Sequence, residues 1–173
     1  LVGSEMCIRD RGNWGTTNHL MTAQSYAAFR VANIRNVVTD LATDGIQPIE
    51  AEKFAALGGS MDLMLIDAAA VKNITPLFAE DPTMLDTCKA WQDGSVYLEM
   101  AYNAYYTNYE IALANTWFAA KCVYPDLFAD VDMTAKTNEI TKAFLGQELA
   151  AQIFACPSSF GGYQQIDTAS FFR

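Results

Sequence analysis

The chain reads as an α/β lobe, a sheet layered between helices, and three observations lead there. Met61 to Ile66 (MDLMLI) is an almost unbroken apolar run between Gly59-Ser60 and Asp67, the pattern of a strand buried on both faces of a parallel sheet. Strand-like and helix-like segments alternate from Ile46 to Met100, the order of βαβ units with right-handed crossovers. Of 173 residues, 51% are hydrophobic and 12% aromatic, too many for a disordered chain. That length suits one domain, or one lobe of a larger protein.

Leu1 to Arg11 (LVGSEMCIRDR) is set apart as a non-native segment, because it resembles a translated adaptor sequence found at the broken ends of assembled reads. It has neither the apolar core of a signal peptide nor a capping pattern leading onward. Residues 12–173 are then the native part, and the true N-terminus is expected to be missing. Gly12 to Ser25 is polar and rich in Gly, Thr and Asn, a loop around Trp14 and His19. A short helix is expected from near Ser25, with the Val37-Val38 pair readable as strand. Asp44-Gly45 is a turn, Ile46 to Ile49 a short strand broken by Pro48, and Glu50 to Leu57 a small helix closed by Gly58-Gly59.

After the buried strand, Ala68 to Phe78 and Asp81 to Trp91 read as helical pieces interrupted by Pro76 and Pro82, and Asp93-Gly94 turns the chain into a third strand, Ser95 to Met100. Thr107-Asn108-Tyr109-Glu110 has capping-box spacing, which predicts a helix from Thr107 to about Tyr124. A last amphipathic helix spans Met133 to Leu145, capped by Asp132 and closed by Gly146. Cys88, Cys122 and Cys156 are widely spaced, form no C-x-x-C, and read as buried small hydrophobes.

Composition also excludes function classes. Twenty acidic residues against 11 basic leave a net charge of −9, whereas nucleic-acid binding needs clustered cations. One His leaves little for His-rich metal sites or His-dependent catalysis. No run approaches the ~18 apolar residues of a membrane span. There is no G-x-S-x-G elbow, no P-loop and no dinucleotide loop at Gly58-Gly59. The pairs Glu50/Glu52 and Asp130/Asp132 sit at helix starts, where capping and the helix dipole account for them. His19 has no evident partner ligand or nucleophile.

The stretch that stands out is Met100 to Asn108 (MAYNAYYTN), with three Tyr and two Asn between a strand end and a helix start. Ligands of open α/β sheets collect beyond the carboxyl ends of strands. A helix N-terminus adds free amides and partial positive charge. Tyr supplies a flat apolar face with a polar tip, suited to recognition. The alternative is that Tyr102, Tyr105 and Tyr106 bury their rings while Thr107 caps the helix.

Val96 to Asp132 (VYLEMAYNAYYTNYEIALANTWFAAKCVYPDLFADVD) resembles the periplasmic solute-binding proteins of ABC transporters for iron complexes, cobalamin and metal oxyanions. The likeness continues through TAKTNEITKAFLG and FGGY, and upstream through His19, Thr22, Tyr26, Phe29, Asn33 and Asn36-Val37. Departures are Ala101 where Pro is usual, Ala27-Ala28 for Pro-Pro, and Ser25 for Arg. The resemblance implies a Rossmann-like three-layer lobe of a class III protein, in which a rigid helix joins two lobes around the ligand. This chain is then the C-terminal lobe.

On that reading the protein binds and does not catalyse, and it needs no cofactor. The candidate ligand residues are Asn103, Tyr105, Tyr106, Thr107 and Asn108, with His19 and Thr17 beside them. The ligand is a metal chelate or metal oxyanion: iron-siderophore, haem, corrinoid or molybdate. The partners are ABC permease subunits, with a lipid anchor expected through the missing N-terminus, and the location is periplasmic or surface-anchored. Glu99 is a candidate for permease docking if exposed, set against plain surface solvation. The other reading is a cofactor-handling enzyme such as a chelatase on a similar lobe.

Overall fold

The computed structural model describes residues 20–103 and 106–172, and the backbone of residues 5–8. Six strands form one sheet, β1 (Glu5–Ile8), β2 (Leu20–Thr22), β3 (Gln47–Ile49), β4 (Leu63–Asp67), β5 (Val96–Glu99) and β6 (Gln164–Gln165), in the order β3-β2-β1-β4-β5-β6. The middle three run parallel, and β2, β3 and β6 join antiparallel. β4 is buried at every position, as its apolar run requires, because it has a neighbour on each side and helices on both faces. Part of the Leu1–Arg11 segment, set apart on sequence grounds, thus supplies the parallel neighbour of β4.

Helices cover both faces. Against Met64, Ile66, Val96 and Leu98 pack α2 (Ala51–Gly58), α3 (Val71–Glu80) and α4 (Lys89–Gln92), through Phe54, Ile74, Phe78 and Ala90. The C-terminal tail closes this layer, Phe172 stacking on Trp91 at 5.6 Å between ring centres. Against Leu63 and Leu65 pack α1 (Ala27–Val31) and α5 (Tyr109–Val123), through Phe29, Phe118 and Ala119. Each large side chain buried here contributes roughly 1.5–3 kcal/mol. Two further helices follow and lead to β6, α6 (Met133–Leu145) packing on α5 and α7 (Ala150–Ala155) on α6. The expected three-layer α/β lobe is the fold observed.

Several local expectations are corrected. Residues 12–25 are not all loop, since they contain β2, and the tail contains α7 and β6. Val37-Val38 is not a strand: the Asn36 side chain donates to Ala23 O at 2.8 Å and accepts from the Val38 amide, folding the segment into a loop. Pro76 lies inside α3 without ending it; Phe78, two residues on, anchors that turn in the core. Cys88 is buried, but Cys122 is half-buried and Cys156 exposed. Ser158 holds the Cys156 thiol below its usual range by hydrogen bonding. Asp132 and Gly146 cap α6 as read: Asp132 accepts from the Ala135 amide at 2.7 Å, and Gly146 is left-handed with φ 75°.

Candidate functional site

β4 and β5 end side by side, and in-register pairing places Asp67 next to Glu99. Alternation along the strands puts both on the face of Leu65 and Tyr97. Both are buried, so each carboxylate needs hydrogen bonds to offset lost hydration. Asp67 accepts from the Ala69 amide at 2.8 Å, capping the single 3-10 turn that leads into α3. Glu99 accepts from Tyr26, whose phenol oxygen lies 2.7 Å from Oε2 and 2.9 Å from Oε1. Tyr26 is itself buried, at the start of α1. The expectation that Glu99 is solvated, or free to dock a partner, is therefore wrong: alternation turns it inward beneath α1 and α5.

Beyond Glu99 the chain enters the Tyr/Asn segment, which is fastened at both ends. Asn115 of α5, fully buried, donates to Met100 O at 2.8 Å and accepts from the Tyr163 hydroxyl at 2.7 Å. Burial, and then the charges of Glu99 and Asp67, hold the Tyr163 phenol well above its ordinary range, so it stays protonated. Tyr102 stacks on Tyr26, ring centres 6.3 Å apart and planes 21° from parallel. The loop then closes on itself. The Asn108 amide donates to Tyr102 O at 2.8 Å, and Asn103 and Thr107 form an antiparallel bridge.

The predicted capping box does not form. Asn108, not Thr107, occupies the N-cap, and its side chain makes no capping hydrogen bond. The bridge to Asn103 takes Thr107 out of the cap position. Of the residues expected to bind a ligand, Asn103 and Thr107 are half-buried in the loop, Asn108 is exposed, and Tyr106 is 86% exposed. Thr17, His19 and Tyr105 lie outside the described residues. The four that are described gather at one strand end. Sequence reasoning did not select Tyr109 and Leu113, exposed one turn apart on α5, nor Glu99 as a buried group. The signal for Glu99 was its place at the carboxyl end of an apolar strand, matching Asp67 at the end of β4.

A cavity of about 510 Å³ lies between α1 and the following loop, lined by Ser25, Tyr26, Phe29, Arg30 and Asn36. Another of about 540 Å³ lies between β5, β6 and the start of α6, with Tyr97, Cys122 and Tyr163 in its wall. Burial, with a further push from Glu99, holds the Cys122 thiol protonated. Among the described residues no three His, Cys, Asp or Glu are grouped so as to hold a metal ion, and no helix is long and apolar enough to cross a membrane. The loop offers amides, hydroxyls and aromatic faces. From Ala90 to Ala120 the sequence has no Lys or Arg.

No family model matches the chain, and no curated protein matches it. Solved structures do. The molybdate periplasmic binding protein MolA of a Haemophilus influenzae ABC transporter, bound to molybdate, superposes with a TM-score of 0.59 at 19% identity, over 85% of this chain and 43% of that one. The TroA-like periplasmic binding protein FepB from Veillonella parvula gives 0.58 at 17%, over 86% and 46%. Helicobacter pylori CeuE, in a complex with Ni-His, gives 0.58 at 14%, over 88% and 48%. The chain thus spans about half the length of the structures it matches. At these identities the likeness establishes the fold, which is the one the sequence resemblance implied.

Proposed function

We propose that this chain is the C-terminal lobe of a two-lobed binding protein that delivers a metal-containing solute to an ABC importer. One observation carries the proposal. The Tyr/Asn loop is fastened at its ends yet presents Tyr106 and Asn108 to solvent, beyond the carboxyl ends of parallel strands, where such sheets take ligands. The fold shared with periplasmic binding proteins supports it, as does coverage of about half their length. Asn103, Tyr106, Thr107 and Asn108, with Tyr105, His19 and Thr17, are the proposed ligand contacts. The solute is a siderophore-type, haem or corrinoid chelate, or a molybdate-type oxyanion. On this lobe aromatic faces and amides meet it, which suits the organic framework of a chelate.

The chain then works in the periplasm or anchored at the cell surface, with permease subunits as partners and a lipid anchor as the means of attachment. It performs no chemistry on its cargo. Leu1–Arg11 is also proposed to be foreign to the protein. The test is titration of the protein from the complete reading frame with sodium molybdate, nickel–histidine and a ferric hydroxamate. Replacing Tyr106 by Ala, or Asn103 by Ala, is expected to weaken binding of whichever solute binds by about ten-fold, roughly 1.4 kcal/mol, without shifting the melting point. Binding untouched by both replacements would place the ligand elsewhere.

A further inference from the structure

We infer that Glu99 is a positioning residue, holding the exposed Tyr/Asn loop in its binding shape through Tyr26 and Tyr102 without touching the ligand. The inference rests on the loop being the binding loop only for its functional meaning; the mechanical part stands alone. Glu99 ends β5 with no exposed surface, and the Tyr26 phenol sits within hydrogen-bond distance of both carboxylate oxygens. Such a charge-assisted bond is stronger than a neutral one and fixes the ring that makes it. The fixed ring also packs edge-on against Phe29, 5.0 Å between centres. Tyr102 stacks on the same ring, planes 21° from parallel.

What happens at Tyr102 sets the loop. Its carbonyl takes the Asn108 amide, drawing both ends of the loop together, and the next residues inward, Asn103 and Thr107, pair across it. If the Tyr26 ring is free to tilt, Tyr102 loses its stacking surface, and the Asn108 bond opens more often. The exposed Tyr106 and Asn108 then no longer hold one arrangement. A preformed loop binds more tightly because less is ordered on binding. Asn115, Met100 and Tyr163 secure the other side of the segment independently of Tyr26, so the effect is confined to the loop.

Residue-resolved hydrogen exchange on the 173-residue chain tests this without any ligand. Tyr26→Phe keeps the ring and removes only the phenol. The expected result is about ten-fold faster exchange at the Asn108 amide, with Ile140 of α6 and Leu65 of β4 unchanged. Glu99→Gln, which leaves the phenol only a weaker neutral acceptor, is expected to give a smaller rise at the same amide. A merely structural role would instead speed exchange throughout β5 and α5 in both variants, and that result, or an unchanged Asn108 amide in Tyr26→Phe, overturns the inference. If Glu99→Gln fails to fold, Tyr102→Leu breaks the same chain beyond Glu99 and must give the same local rise. Titration of the unaltered two-lobed protein with sodium molybdate, nickel–histidine, a ferric hydroxamate, haem and a corrinoid then separates the two claims: loosening at Asn108 with none of these bound keeps the positioning role and removes the transport reading.

Discussion

Asn115 shows how much of the site depends on single polar side chains. Its amide joins Met100 O to the Tyr163 hydroxyl inside the core. Replacing it by Ala leaves both without that partner, an expected loss of about 2–4 kcal/mol, read as a lower denaturation midpoint. Tyr163 carries a pH signature. The folded state keeps its phenol protonated above the ordinary value of 10.0, while the unfolded chain ionises there. Its contribution is complete below that value and is lost as pH rises past it. Stability measured from pH 8 to 11 should therefore fall at the alkaline end, more gently in Tyr163→Phe; Cys122, also pushed up by burial, supplies part of the remaining slope. None of this was legible from residue types. Asn, Tyr and Glu carry no sequence mark of burial, and Glu99 reads as polar until strand pairing turns it inward.

At the scale of elements, what was legible was what depends on near neighbours. The α6 boundaries followed from Asp132 and Gly146, and Asp132→Ala should cost about 1 kcal/mol in thermal unfolding. The α5 start was misread for a related reason. Thr107 and Glu110 have the right spacing, but pairing across the loop takes Thr107 first. Thr107→Ala should accordingly change helix stability by no more than about 0.5 kcal/mol, where a true cap would lose twice that. β2 and β6 escaped because three and two residues are too few to display alternation, and Gln164-Gln165 has no apolar member. Both owe their existence to the edges they join. Gly162 belongs here too: at φ 103°, with an added Cβ only 2.7 Å from Phe154, Gly162→Ala should destabilise the turn into β6 by about 1–3 kcal/mol.

The molecule as a whole is a three-layer lobe whose sheet ends converge on one loop. The apolar run of β4 and the alternation of strand-like with helix-like segments announced that architecture, because both faces of a parallel sheet must be covered. The loop's composition marks it as the candidate site, and the lobe shares its fold with periplasmic binding proteins. The measurement that bears most directly on the central claim is a thermal-shift panel on the two-lobed protein proposed above. A solute at about 100 times its dissociation constant stabilises the bound state by about 2.7 kcal/mol. The account predicts that a metal chelate or metal oxyanion raises the midpoint while sugars and peptides leave it unmoved; a shift with a sugar or peptide, and none with any metal-containing solute, would contradict it.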